Sequence, residues 1–480
     1  MTGEHFDLVV IGGGGAAREA ARLAVEEFDA RVAVIERLRW GGECASVACK
    51  PTKQYVAAAE LLHDLRAVGA DLGLATGEID FELARLKERK DWLVGEPARW
   101  RERFVAQGVT VVDGSATLLD ARSVRVGGQV LEGDRILIAT GSRTAVPPIT
   151  GIEDVPWLDN VAALELTAVP ASLLVVGAGA VGLEFGQVFS RFGSRVTIVE
   201  ALDGIGGRAD REAAAALRTA LESEGIDVLT STVVSSVRRQ GSDVLAVLLP
   251  RDSGASFELR ASHVMLAAGR RPNVEGLGLE HAGVEHTRQG IAVDERQRTS
   301  ADGIWAAGDV VTGIQLTPIG AYQAQIAVAD MFGTSRRVAE YDAVPAAIFT
   351  DPELAGVGLT EDEARHHGLD VGTAVYPASG LIRPFYTLPR DAAAHGLVKL
   401  VFERSSRALL GVHATLRGAA EIVQGYAVAL RLGATVDDLA LSHYAFPTAG
   451  EAVHYAAESA LGGQLVGALD YASARRAAAS

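Results

Sequence analysis

The sequence predicts an α/β fold with two Rossmann-like, doubly wound dinucleotide-binding domains and a separate C-terminal α+β domain. Three observations predict it. Residues 6–36 (FDLVVIGGGGAAREAARLAVEEFDARVAVIE) and residues 172–200 (SLLVVGAGAVGLEFGQVFSRFGSRVTIVE) form an imperfect internal repeat. Each copy reads as an apolar strand, a glycine-rich turn, a helix and a second strand ending in Glu, which is a βαβ unit. After about Val338 the pattern changes. Residues 343–357, 372–376 and 397–413 read as strands, and 361–367, 418–432 and 450–461 as helices.

The bulk properties agree. A chain of 480 residues is long enough for roughly three domains of about 150 residues each. With 48% hydrophobic residues it can bury large cores. A net charge of −16 argues against a nucleic-acid partner, which requires a basic face. The first apolar run is only Leu8–Ile11, so neither a signal peptide nor a membrane span is expected, and the predicted setting is cytoplasmic. Between the repeats, Asp64–Gln107 has charged helical spacing, and residues 109–138 read as short strands with Gly turns. Pro147-Pro148 and Gly151 mark one boundary; the strand His263–Ala267 leads into another at Gly269. The segments expected are 1–150 and 271–338 for the first nucleotide domain, 151–270 for the second, and 339–480 for the last. The tail Ser473–Ser480 reads as frayed.

In the first unit Gly12, Gly14 and Ala17 occupy the G-x-G-x-x-G/A positions. The first Gly permits the tight turn, the second lets a pyrophosphate approach the backbone, and the small third residue packs helix on strand. The helix N-terminus offers free N–H groups to the phosphates. Glu36 lies near the offset of roughly 20 residues expected for the carboxylate that takes ribose hydroxyls. The second unit supplies Gly177, Gly179, Gly182 and Glu200. A carboxylate at 200 repels a 2′-phosphate, so NADH is favoured over NADPH, although Arg195, Arg208 and Arg211 nearby could reverse this.

Both cysteines of the chain fall in the segment Gly41–Lys53, GGECASVACKPTK. In a reducing compartment a close pair points to catalysis or metal binding rather than a structural staple. Cys44 and Cys49 open a helix and can approach to disulfide distance; Lys50 and Lys53 would favour a thiolate. Two unrelated buried thiols are the alternative reading of this spacing.

The segment resembles the G-G-x-C-x₄-C-x-P-[ST]-K motif of the class I pyridine nucleotide–disulfide oxidoreductases, matched by Gly41, Gly42, Cys44, Cys49, Pro51, Thr52 and Lys53. The resemblance continues through Ala139-Thr140-Gly141, Gly182-Leu183-Glu184, Ala268-Gly269-Arg270-Arg271-Pro272-Asn273, Trp305-Ala306-Ala307-Gly308-Asp309 and Val344–Thr360. It implies FAD on the first unit, with Glu36 on the adenosine ribose, Asp309 on the ribityl chain, and Gly42, Thr140, Gly141 and Gly269 also at cofactor-binding positions. NADH or NADPH would occupy the second unit. Lys53 would lie near the flavin and pair with Glu184. Cys49 would stack on the flavin and Cys44 would meet a small-molecule substrate. The segment from 339 would be a dimerisation domain, giving a homodimer whose active site is shared between subunits. No resident metal site is expected.

The sequence departs from the family at three places. The C-terminal His-Pro-T-x-x-E stretch, whose His is the acid–base group, here reads Phe446-Pro447-Thr448-Ala449-Gly450-Glu451. A phenyl ring cannot shuttle protons; His443 or His454 would have to serve from a shifted backbone, or no base is needed. Lys50 replaces an apolar residue and Glu43 a Thr. The pattern is nearest that of mercuric reductase-like members, whose G-G-A-A turn looks like Gly14-Gly15-Ala16-Ala17, but the terminal LDYASARRAAAS carries no metal-delivering cysteine. The reading is therefore a reductase of a metal, organometal, quinone or special disulfide. The alternatives are a C–S bond-cleaving enzyme like 2-oxopropyl-coenzyme M oxidoreductase/carboxylase, an ordinary disulfide reductase such as dihydrolipoamide dehydrogenase, and a flavin-binding protein without turnover. Tyr55, Tyr386 and Arg383 are further candidates for the substrate cleft.

Overall fold

The computed structural model describes residues 4–462 except 76, 78, 96, 97, 253, 334–336, 390 and 391; the terminal tail lies outside the described residues. The chain forms two compact units. One comprises Met1–Thr52, Lys87–Ala145 and Gly269–Glu340, the other Lys53–Leu86, Val146–Ala268 and Tyr341–Ser480.

The first unit is built on a five-stranded parallel sheet. Strand β1 (Leu8–Ile11) lies at its centre, between β2 (Val32–Glu36) and the strand Ile136–Ile138. Ile304–Ala306 and Thr110–Asp113 form the edges. Every residue of β1 is buried, as expected for a parallel strand covered on both faces. Helix α1 (Gly15–Phe28) crosses from β1 to β2 and turns Ala17, Ala20, Ala21 and Ala24 inward, so helix and sheet approach closely. A second, four-stranded sheet joins Glu4–Phe6 to three strands between Ala116 and Gly133. Two further helices matter below: α2 (Gly42–Ser46) and α3 (Cys49–Ala67).

The second unit repeats the plan. β3 (Ser172–Val176), α4 (Ala180–Phe192) and β4 (Arg195–Val199) form the second βαβ, in a five-stranded parallel sheet with Trp157–Leu158, His263–Leu266 and Asp227–Leu229. A three-stranded antiparallel meander follows, spanning Thr232–Ala261. The last segment is a five-stranded antiparallel sheet with α5 (Ala419–Arg431) and α6 (Glu451–Ala460) packed against it. Burying a single Leu or Val in such cores contributes roughly 1.5–3 kcal/mol. Among the described residues, no helix is long and apolar enough to cross a membrane.

Several expected elements differ. The expected strand 343–357 is two strands, Ala346–Ile348 and Glu353–Gly358, parted at Pro352, which has no N–H for a ladder. The expected strand 397–413 is a hairpin, Leu397–Glu403 and Leu409–Leu416, whose loop is tied by Ser405 and Ser406 hydroxyls donating to Glu403. Helix α3 begins at Cys49, well before Asp64, and the stretch to Gln107 is broken into Leu83–Val94 and Ala98–Ala106. The helix Val436–Leu441, capped reciprocally by Thr435 and Asp438, is additional.

Candidate active site: a glycine-rich cleft and a cysteine pair

The first turn demands glycine. Gly12 sits at φ +115°, and a Cβ there would lie 2.2 Å from the Ala139 carbonyl oxygen. Gly14 is the N-cap of α1 and provides no side-chain cap, so the helix presents its first N–H groups and positive end to an incoming anion. Ala17 is fully buried behind the turn. Glu36, at the end of β2, accepts from Gly13 N at 2.7 Å through Oε2, and from Leu38 N at 2.8 Å and Arg39 N at 3.1 Å through Oε1. A carboxylate has about four acceptor sites, so these donors fix its position and leave capacity for a ligand.

The cysteine loop touches this turn. A Cβ on Gly42 would come within 2.8 Å of Gly14 Cα, and one on Gly41 within 2.6 Å of the Trp100 ring. Gly14, Glu36, Gly42, Cys44, Thr140 and Asp309 share one cleft. Thr140 and Asn273 clamp each other: Thr140 Oγ1 donates to Asn273 O at 2.8 Å and Asn273 Nδ2 donates to Thr140 O at 2.9 Å. Gly141 takes a positive φ of +70° beside this clamp, and Gly269 one of +108°. Ser142 Oγ donates to Asp309 Oδ2 at 2.8 Å and accepts from Arg270 Nε at 2.7 Å, while Arg270 also forms an ion pair with Glu43. Cys44 lies half-buried in α2. Cys49 is the exposed first residue of α3, its Sγ 3.9 Å from Thr317 Oγ1. The uncapped α1 terminus, the glycine-lined backbone and the carboxylate at the rim fit the diphosphate and ribose of a dinucleotide such as FAD.

In the second unit Gly177 is at φ +109°, where a Cβ would meet Ala267 O at 2.4 Å, and a Cβ on Gly182 would lie 1.9 Å from Gly177 O. Gly179 caps α4 without a side chain. Glu200 accepts from Ala178 N at 2.7 Å and Leu202 N at 2.9 Å. Arg211 pairs with Asp203 and lies 3.9 Å from Asp362. Lys53 and Glu184 meet: Nζ donates to the two carboxylate oxygens at 2.9 and 2.7 Å. Glu184 is buried and also accepts from Phe349 N at 3.0 Å, and the Lys53 ammonium lies 4.5 Å from the Phe349 ring centre.

Phe446 is 69% exposed, so it is not a core residue of its own chain. Glu451 is 1% exposed, its Oε2 has no hydrogen-bond partner, and burial pushes its carboxyl above the ordinary value. His443 is exposed. His454 packs against Tyr444 with ring centres 4.6 Å apart and planes tilted by 43°, and lies 3.3 Å from Glu458.

Tyr55 is a correction. It is fully buried, its hydroxyl donating to Leu164 O at 3.1 Å, so it lines no cleft. Arg383 and Tyr386 line a cavity of about 860 Å³ in the second unit, with Asp351 and Arg417. Burial opposes the charge on Asp351, but hydrogen bonds and charges from Arg417 and Arg191 hold its carboxyl below the ordinary range. Sequence reading also missed Trp100, whose role emerges only from contacts distant along the chain. The buried Lys399, paired with Asp210 and Glu361, carried one signal: it is one of only five lysines, at 50, 53, 87, 90 and 399.

Residues 6–324 match the family described as pyridine nucleotide-disulphide oxidoreductase, and residues 344–457 match its dimerisation domain. The mercuric reductase of Streptomyces lividans is 35% identical over 95% of this chain and 96% of its own length. The dihydrolipoyl dehydrogenase of Thermus scotoductus is 36% identical over 95% and 97%. Among solved structures, a Cu(II) complex of the HOCl-induced flavoprotein disulfide reductase RclA from Escherichia coli aligns with a TM-score of 0.82 at 28% identity, covering 96% of this chain and all of that one.

Proposed function

The chain belongs to the pyridine nucleotide-disulphide oxidoreductase family and is a flavin oxidoreductase of that family, using FAD and a pyridine nucleotide; from that premise we propose that it reduces a Cys44–Cys49 disulfide with NADH and passes the electrons to an acceptor that takes no proton from residue 446. The observation that carries this reading is the occurrence of an otherwise intact cysteine motif together with Phe446, in a chain whose buried Glu451 has one carboxylate oxygen, Oε2, without a hydrogen-bond partner.

In this reading residues 1–150 and 271–338 hold FAD, 151–270 hold the nicotinamide cofactor, and 339–480 dimerise. Gly12, Gly14, Ala17 and Gly42 admit the FAD diphosphate, Glu36 the adenosine ribose and Asp309 the ribityl chain, with Thr140, Gly141 and Gly269 shaping the same cradle. When bound, FAD supplies a two-electron relay between nicotinamide and cysteines. The Lys53–Glu184 pair keeps an ammonium fixed on the second unit. Gly177, Gly179 and Gly182 admit the nicotinamide cofactor's diphosphate. Glu200 at the ribose rim repels a 2′-phosphate, and Arg211, already paired with Asp203, does not neutralise it, so NADH is preferred. Val428, Leu432, Leu441 and Phe446 are exposed on the dimerisation segment, which suits burial against a second copy and an active site completed by it.

The acceptor class follows from the missing base. A soft metal ion or organometal bound by two thiolates needs no proton from the enzyme, and a quinone draws protons from water. The likeness to mercuric reductases supports the metal arm. A second reading, cleavage of a C–S bond by the dithiol, is favoured by the phenyl ring itself, which excludes protons from a carbanion. Anaerobic turnover with Hg²⁺, a quinone, oxidised glutathione, lipoamide and a β-ketothioether separates these. We expect Hg²⁺ or the quinone to lead, and Phe446→His to raise disulfide reduction. Rapid reduction of glutathione disulfide or lipoamide by the unaltered enzyme would overturn the reading.

A further inference from the structure

Lys50 and Phe446 both stand where the family pattern has a different chemistry. We propose that Trp100 holds Lys50, with Arg18, as a fixed positive charge on the cleft that Cys44 lines, and that this charge stabilises the thiolate of the reduced pair in place of a titrating base. The proposal rests on reading Cys44 and Cys49 as the redox pair.

The geometry begins at Gly41. Its positive φ of +89° brings the cysteine loop so close to Trp100 that no side chain fits between them. The indole is buried, and three cations lie over it: Lys50 Nζ at 5.5 Å from the ring centre, Arg18 Cζ at 5.2 Å and Arg103 Cζ at 4.6 Å. Each such contact at an exposed site is worth roughly 0.5–1 kcal/mol, enough to bias a long side chain several-fold toward one position. Lys50 and Arg18 line the same cleft as Cys44. The acidic groups on that cleft are committed elsewhere. Glu43 is paired with Arg270, Asp309 accepts from Ser142, and Glu36 accepts from three backbone N–H groups. Arg39 adds a further cation. The cleft lining thus carries five cationic side chains, Arg18, Arg37, Arg39, Lys50 and Arg270, against three carboxylates, Glu36, Glu43 and Asp309.

The chemistry balances without an external acid. Hydride transfer from NADH delivers two electrons and one proton, which break the S–S bond and leave one thiol and one thiolate. A lysine charge does not titrate near neutrality, whereas an imidazole loses its proton there. A thiolate stabilised by Lys50 would thus persist across a pH range in which a histidine partner would switch off. Lys50 is a positioning charge and Trp100 the residue that positions it.

The test uses the FAD-loaded full-length protein carrying Cys49→Ser, so that Cys44 is its only cysteine. The rate of alkylation by iodoacetamide is followed against pH. Lys50→Met should slow the reaction at neutral pH about 3–10-fold, a shift of roughly half to one pH unit, and Lys50→Arg should restore it. Trp100→Leu should reproduce most of the shift with Lys50 present, and Trp100→Phe should recover it. An unchanged profile in Lys50→Met and Trp100→Leu would overturn the proposal. So would loss of bound FAD in Lys50→Met with an unchanged profile, which would assign the lysine to the cofactor's phosphates. In Lys50→Met with both cysteines retained, NADH should still generate two thiols; if it does while the profile is unmoved, only the charge device fails.

Discussion

The two βαβ turns are nearly the same structure set in different surroundings. In each, a glycine with positive φ closes the turn, a glycine caps the helix without a side chain, and a terminal Glu accepts from one N–H in the turn and from the N–H two residues on, Glu36 taking a third from Arg39. They differ at the third small residue. Ala17 fits in the first, whereas a Cβ on Gly182 would overlap Gly177 O, so the second helix lies tighter on its turn. They also differ at the helix position seven beyond the first glycine. Glu19 is a partly exposed partner of Arg22, while Glu184 is buried against Lys53. Only the first turn is contacted by a cysteine loop. The comparison teaches that the glycine turn is generic and that what distinguishes the two copies is attached to it.

Substitutions can break this parallel selectively. Gly12→Ala should yield protein without flavin. Gly177→Ala should leave the flavin bound but raise the KM for NADH about 10–100-fold, since strain at such a backbone position costs on the order of 1–3 kcal/mol. Flavin absorbance and steady-state kinetics read both. Glu184→Gln, which strips the charge from a buried partner of the one-third-exposed Lys53, should cost about 2 kcal/mol and lower Tm by a few degrees. Glu19→Gln, at the matching surface position, should cost less than about 0.5 kcal/mol. Glu200→Ala should reduce the NADH-over-NADPH ratio of kcat/KM by about tenfold, through lost like-charge repulsion.

A further effect is a pH slope confined to the second unit. Burial, reinforced by the Asp351 charge, pushes the Glu60 carboxyl up to about 7. A group that binds its proton more tightly when folded contributes stability that is complete below its unfolded value and is lost as pH rises through the folded one. Tm should therefore fall between about pH 4.5 and 7 on account of Glu60. Glu60→Gln should flatten that slope, and an unchanged slope would assign it to other groups.

The features legible in sequence were those fixed by local stereochemistry. Glycines at set offsets after a buried strand announce a phosphate turn, because no other residue has the backbone freedom. The cysteine spacing and the Lys53–Glu184 pair were likewise readable through the resemblance. Illegible were features made by contacts between distant residues. Nothing in the helix Ala98–Ala106 says that Trp100 will lie under Gly41. Tyr55 looked available because its helix begins in the cysteine motif, yet its ring faces the core. The hairpin at Glu403–Leu409 has neither Gly nor Pro in its loop, so its turn was read as continuous strand.

Counting thiols tests the central claim most directly. The purified FAD-bound protein, denatured anaerobically before and after one equivalent of NADH, should show no titratable thiol before and two per chain after, both lost in Cys44→Ser/Cys49→Ser. Full reduction of the flavin with no gain in thiols would contradict a Cys44–Cys49 redox pair.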